Sequence, residues 1–281
     1  MPSEQEVVSR PLRTRPAAPA RSPLRDAAGT LASSVDLLRV LTESDLRFRY
    51  GRGPWRFVRW LFEPVALVGV YLILVTFVLD RSGHAVGLSL TCAVVPFQLV
   101  MLAIANSMTA LDLRRPIILN MAFKRMLLPV SSALTEATGF ASSLFLIAFM
   151  MAVYGVAPTP SLLWFPLVLL VTLLLAVAAA YPAILFGVWL RELRQFFVSF
   201  VRTLFFLGPG LVPLDETSHR IRSLLQLNPM TGLFEAYRNV FLDGKAPAPW
   251  QLLYPLAGAV VLLAIFVPIY RLEQRQFAKI V

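Results

Sequence analysis

Charge is scarce in this chain: Asp, Glu, Lys and Arg make up 15% of 281 residues, whereas 57% are hydrophobic. A soluble globular domain carries about 25% charged residues, so this balance excludes a soluble two-domain protein. There is one cysteine, Cys92, which excludes an intrachain disulfide. The two histidines, His84 and His219, stand apart, and Asp80, Asp112, Asp215 and Asp243 are scattered over different loops. No set of side chains has metal-ligand or acid–base spacing, so no metal or catalytic group is expected. The Gly-x-x-x-x-Gly-Lys-Ser/Thr, His-Glu-x-x-His and Gly-x-Ser-x-Gly motifs are all missing, and no cofactor is expected on this chain. If the protein drives uphill transport, its energy comes from another chain.

What the chain does have is long apolar runs of the length that crosses a bilayer, about 20 residues each. Six spans are expected near residues 61–79, 88–110, 129–153, 162–188, 196–213 and 250–270. Residues 1–30, rich in Pro, Arg, Ala and Ser, hold no apolar run suited to a signal peptide and are expected to be a disordered cytoplasmic tail. Residues 31–281 then form one all-α membrane domain. From Leu31 to Tyr50, Leu31, Val35, Leu38 and Leu41 make a helical stripe, followed by arginines interleaved with Phe48, Tyr50, Trp55, Phe57 and Trp60. An amphipathic helix on the inner membrane face fits this composition.

The net charge of +10 reads as topology, not as nucleic-acid binding. With the N-terminus inside, fifteen basic residues flank the cytoplasmic ends: Arg39, Arg47, Arg49, Arg52, Arg56, Arg59, Arg114, Arg115, Lys124, Arg125, Arg191, Arg194, Arg271, Arg275 and Lys279. The outer segments hold five, namely Arg81, Arg220, Arg222, Arg238 and Lys245. This bias places both termini in the cytoplasm.

Two connections stand out. In the loop from Asp112 to Pro129, Pro116 interrupts the helix, and Ile117 to Met126 reads as a short amphipathic helix able to dock on a soluble partner. The fifth span ends at Leu207-Gly-Pro-Gly, where Pro209 and Gly210 break the helix. Beyond it Asn228 is an N-cap, Pro229 a first helical residue and Gly244 a stop. Met230, Leu233, Phe234, Tyr237, Val240 and Phe241 share one face, with Glu235, Arg238 and Asn239 on the other. At about 24 Å this segment is too short and polar to cross, and reads as an arm dipping back from the outer face.

Inside the spans, Glu136 and Arg202 are expensive charges expected to face the protein interior or a wet path. Phe145, Phe149, Tyr154, Trp164 and Phe165 cluster toward the outer ends of spans three and four. They suit either sugar stacking along a path or an interfacial aromatic belt.

Several dispersed stretches together resemble the permease subunits of ABC-2 type exporters of lipid-linked polysaccharides such as O-antigen, capsule, galactan or teichoic acid. They are Glu43-Ser-Asp-Leu-Arg-Phe-Arg-Tyr-Gly-Arg, Trp60-Leu-Phe-Glu-Pro64, Phe123-Lys-Arg-Met-Leu-Leu-Pro-Val-Ser-Ser132, Arg191-Glu-Leu-Arg-Gln195, Gly208-Pro209, Leu227-Asn-Pro-Met and Tyr237-Arg-Asn-Val-Phe-Leu-Asp-Gly244. The chain departs from that pattern at Gly53-Pro-Trp and at Glu192, where Asp is usual. The resemblance implies a multi-pass homodimer in the bacterial cytoplasmic (inner) membrane, paired with two copies of a cytoplasmic ABC ATPase that binds ATP and Mg. It also implies ATPase contact through the Leu31–Tyr50 helix and through Arg114, Arg115, Pro116, Ile117, Phe123, Lys124 and Arg125. A re-entrant gate would hold Gly208, Pro209, Asn228, Pro229, Tyr237 and Arg238, with the conduit between protomers.

Two other readings remain at this stage. One is export of a small lipid or drug by the same scaffold. The other is a multispan glycan or acyl transferase, which needs a convergent acid or histidine cluster that the sequence does not offer. The charge bias makes a direct prediction. A reporter active only outside the cytoplasm is expected to be active when fused at Pro158 and silent at Val281, and activity at Val281 would overturn the topology.

Overall fold

The computed structural model describes residues 23–50, 55–78, 80, 85–114 and 125–274. These residues form helices and connections, with no strand among them. In chain order the helices are α1 (Pro23–Tyr50), α2 (Trp55–Ile73, extended by a π turn over Leu74–Val78), α3 (Val86–Leu113), α4 (Leu128–Val153), α5 (Phe165–Trp189), α6 (Arg194–Phe206), α7 (His219–Leu225), α8 (Pro229–Phe241) and α9 (Pro249–Glu273).

Among the described residues, five segments are long and apolar enough to cross a membrane: Leu61–Val78, Val86–Leu113, Arg125–Val153, Pro160–Trp189 and Pro249–Glu273. The chain is therefore a multi-pass membrane protein by length and composition. Its exterior supports the same conclusion, because Phe62, Ile73 and Phe77 on α2 and Val260, Val261 and Ile265 on α9 are exposed. Water would not tolerate that apolar surface, but acyl chains do.

The expected span at 196–213 is not one continuous helix. α6 stops at Phe206 after 13 residues, about 20 Å, short of a hydrocarbon core of about 30 Å. The cause is Gly208-Pro209-Gly210: proline lacks the amide hydrogen that would continue the ladder, and the chain turns there. The amphipathic helix also differs from expectation, beginning at Pro23 instead of Leu31. Proline suits a first helical turn, whose amide hydrogens have no partner in any case. Residues 1–22 of the expected tail lie outside the described residues, as do Arg115, Pro116, Ile117, Phe123 and Lys124. Arg125–Leu127 form a 3-10 turn that runs straight into α4.

α3 is the hub of the bundle. It is apolar all round and buried along most of its length, with α4 and α5 on its flanks and α2, α6 and α8 also in contact. Its close approach to α5 depends on Gly187, where a Cβ would fall 2.2 Å from the Met108 carbonyl oxygen. Small residues Ala176, Ala178, Ala180 and Ala183 line the same helix, all at most 2% exposed. Close backbone contact is how helices associate when lipid tails are as apolar as leucine. Two buried threonine hydroxyls are satisfied within their own helices: Thr91 Oγ1 donates to Gly87 O at 2.7 Å and Thr172 Oγ1 to Val168 O at 2.8 Å.

Gly187→Ala is expected to separate α3 from α5 at a cost of about 1–3 kcal/mol. Thermal unfolding in detergent should show the loss, while Gly139→Ala, whose Cβ meets nothing within 4 Å, should unfold like the parent protein.

Candidate translocation and coupling site

The end of the bundle at which α3 begins is built around α8. Asn228 caps it as its sequence position predicts: Oδ1 accepts from Met230 N at 3.0 Å, while Nδ2 donates to Leu204 O at 2.7 Å and so ties α8 to α6. Pro229 is the first helical residue, and Gly244, beyond the helix end, has φ +65°, a conformation that suits glycine. Tyr237 is fully buried, edge-on to Phe140 and Phe165 with centroids 6.2 and 6.3 Å away, and its hydroxyl lies 3.4 Å from Thr172 Oγ1. Gly208 and Pro209 are buried in the turn after α6, where Gly208 lies against Asn228 and Phe234.

The polar face of α8 corrects the sequence expectation. Glu235 and Arg238 do not face away from the core; they are 7% and 2% exposed. Arg238 Nη1 donates to Glu235 Oε1 at 2.8 Å, Nε to Ser89 Oγ at 3.0 Å, and Nη2 to Gly210 O at 3.2 Å. Glu235 Oε1 also accepts from Leu214 N at 3.0 Å. A helical wheel sees only an amphipathic arm; here α3 covers one side and the turn after α6 covers the other. A charge buried this far from water is tolerable only when paired and hydrogen-bonded, and this pair is both.

Glu136 and Arg202 do not share a cavity. Glu136 is 5% exposed, accepts from Asn106 Nδ2 at 2.7 Å, and lines a void of about 30 Å³ with Glu63 and Gln98. Arg202 is exposed on α6 and lines a cavity of about 550 Å³ between α2, α3 and α6. Glu63 and Gln98 border both spaces, so a run of polar groups links them. Gln98 is 5% exposed, and its Nε2 has no hydrogen-bond partner among the described residues. The larger cavity's aromatic wall consists of Phe62, Tyr71, Phe97, Phe205 and Phe206.

The aromatics singled out in the sequence lie elsewhere. Phe145, Phe149 and Trp164 are 67%, 53% and 44% exposed and do not line that cavity. The Tyr154 hydroxyl accepts from Gly87 N at 3.2 Å, which fixes the end of α4 to the start of α3. Phe165 packs on Tyr237 and Phe241.

At the opposite end, where α3 closes, Arg114 is 5% exposed and turned into the bundle, bonded to Asp45 of α1 and, through Nη1, to Ser131 Oγ at 2.9 Å. Arg125 donates to the Gln274 carbonyl, and its own carbonyl accepts from the Tyr270 hydroxyl at 3.0 Å. Asp112 pairs with Arg191 and Arg194. Among the described residues, no group of three or more His, Cys, Asp or Glu side chains is placed to hold a metal ion.

No family model matches the chain. It is similar to O-antigen export permeases. The O-antigen export system permease protein RfbA of Myxococcus xanthus is 28% identical over 248 residues, covering 86% of this chain and 94% of that protein. Two proteins of the same description from Klebsiella pneumoniae are 21% identical over 246 residues and 23% identical over 235. These alignments cover 87% and 82% of this chain, and 95% and 91% of the relatives. The proteins that the chain resembles are named as permeases, not as enzymes.

Sequence reasoning passed over Glu63, Gln98 and Asn106. The signal was present: Gln98 and Asn106 are amides inside an otherwise apolar run, and polar side chains at such depth tend to be functional or tightly packed. Removing the carboxylate in Glu235→Ala strands the Arg238 guanidinium. Loss of a buried partner costs about 3–5 kcal/mol, so detergent thermal unfolding and folded yield should both drop sharply.

Proposed function

We propose that the chain is the membrane-spanning permease subunit of an ATP-driven exporter that moves a lipid-linked polysaccharide of the O-antigen type across the bacterial cytoplasmic membrane. The observation that carries this reading is the similarity to O-antigen export permeases over 82–87% of the chain. The subunit works as a homodimer with two copies of a cytoplasmic ABC ATPase, which supplies the ATP and Mg sites.

A sixth crossing is part of the proposal. α6 starts at Arg194, ion-paired to Asp112 at one end of α3, and leads to Gly210, whose carbonyl shares Arg238 with Ser89 near the other end. Asp112 and Ser89 are 23 positions apart on α3, about 35 Å along its axis, so 194–210 traverses most of the bundle although its helix is short. α7 and α8 then form the re-entrant arm at the outer end. Both termini lie on the cytoplasmic side, a reading supported by the Asp45–Arg114 and Arg125–Gln274 contacts at one end of the bundle.

The cavity bordered by Arg202 has an apolar, aromatic wall with Glu63, Gln98 and Arg202 as its polar groups. That composition suits an amphiphile whose lipid part meets the wall and whose polar part meets the three side chains. Glu136 lies behind it, and the arm with Gly208, Pro209, Asn228, Pro229, Tyr237 and Arg238 closes the exit. Residues 115–124, together with Arg125, face the ATPase.

The test is reconstitution. The chain purified with its ATPase should move a labelled lipid-linked polysaccharide across proteoliposomes at least 10-fold faster with ATP than with ADP. Movement of a small lipid or drug but no glycan, or covalent change of the glycan without transport, would overturn the proposal.

A further inference from the structure

Three elements meet at one largely buried ion pair at the end of the bundle where α3 closes. Arg114 closes α3 and immediately precedes residues 115–124. Its Nη2 pairs with Asp45 Oδ2 on α1, and its Nε lies 3.4 Å from Asp45 Oδ1. Nη1 donates to Ser131 Oγ on α4 at 2.9 Å, and Thr135 Oγ1, one turn further along α4, lies 3.4 Å from Asp45 Oδ2. The two charged side chains are 6% and 19% exposed. The neighbouring Glu43–Arg47 pair is a different kind of contact: it stays within α1, and both partners are 52% exposed.

The difference decides what each pair can transmit. An exposed pair within one helix contributes little and connects nothing. A forked guanidinium–carboxylate pair out of water is directional, and separating it leaves a buried charge unpaired. Apolar contacts such as that of Leu41, 2% exposed, hold α1 against the bundle but let it slide. α3 continues from this pair through the hub of the bundle to Ser89, which binds Arg238 of the arm. A displacement delivered to α3 at Arg114 therefore has a packed route to the outer end.

We propose that the Asp45–Arg114 pair is the joint through which movement of α1 by the ATPase reaches α3 and α4, with Asp45 as a positioning residue. The inference rests on the reading of α1 and residues 115–124 as the ATPase-facing surface. Arg114, expected from sequence to touch the ATPase, acts one step behind it.

The test uses the whole complex in proteoliposomes, measuring ATP hydrolysis and export of the labelled lipid-linked polysaccharide together. Asp45→Asn should keep at least half of the ATPase rate while export falls at least 10-fold, so that export per ATP drops. Asp45→Glu, and the exchanged pair Asp45→Arg with Arg114→Asp, should recover export per ATP to within about 3-fold of the parent. Lys245→Gln, on the exposed loop after α8, should leave both readouts unchanged. If Asp45→Asn folds poorly, Thr135→Val and Ser131→Ala test the same joint and should each lower export per ATP 2–5-fold. Unchanged export per ATP in these variants overturns the inference. So does a proportional loss of both activities together with loss of the bound ATPase. Failure of the parent complex to assemble or export would instead overturn the proposed function.

Discussion

A bilayer interior supplies no water to a buried charge, amide or backbone group, and the whole arrangement of this protein follows from having to satisfy such groups internally. The apolar spans do so by helix formation alone. Three polar pairs are spaced along the bundle: Arg238 with Glu235 near the start of α3, Glu136 with Asn106 in the middle, and Arg114 with Asp45 at its close. Each pair either contacts or belongs to α3, so the hub helix is also the axis along which polar contacts are distributed.

This placement accounts for how α8 is held in the bundle. A 13-residue amphipathic helix left on an outer surface would depend on the interface for its position. Here its apolar face sits on Phe140 and Phe165, and its charged face is locked by Ser89, Gly210 and Leu214. The arm is thus an integral wall of the bundle. α8 is bonded both to α3 and to the turn after α6, and α3 is the helix that meets α1 at its other end.

The cavity between α2, α3 and α6 follows the same logic in reverse. Its walls are apolar side chains that need no partner, and the polar groups facing it are few: Glu63, Gln98 and Arg202. Sequence position singled out Phe145 and Phe149 and passed over Glu63 and Gln98, because clustering near a span end is visible in a linear pattern. Which side of a span faces a neighbour is not visible there, since α3, α4 and α5 are apolar on every face and carry little directional signal.

The sequence by itself determined the membrane class, the position of five spans, the break at Gly208-Pro209-Gly210 and the Asn228–Pro229 helix start. Those depend on local rules: run length, missing amide hydrogens and capping geometry. Only tertiary structure decided that Glu235 and Arg238 are buried and that Arg114 points inward to Asp45, 69 positions earlier in the chain. A charged residue looks the same in sequence whether it faces headgroups or a buried partner. The distinction arises when distant helices close around it and exclude water, and no local pattern records that closure.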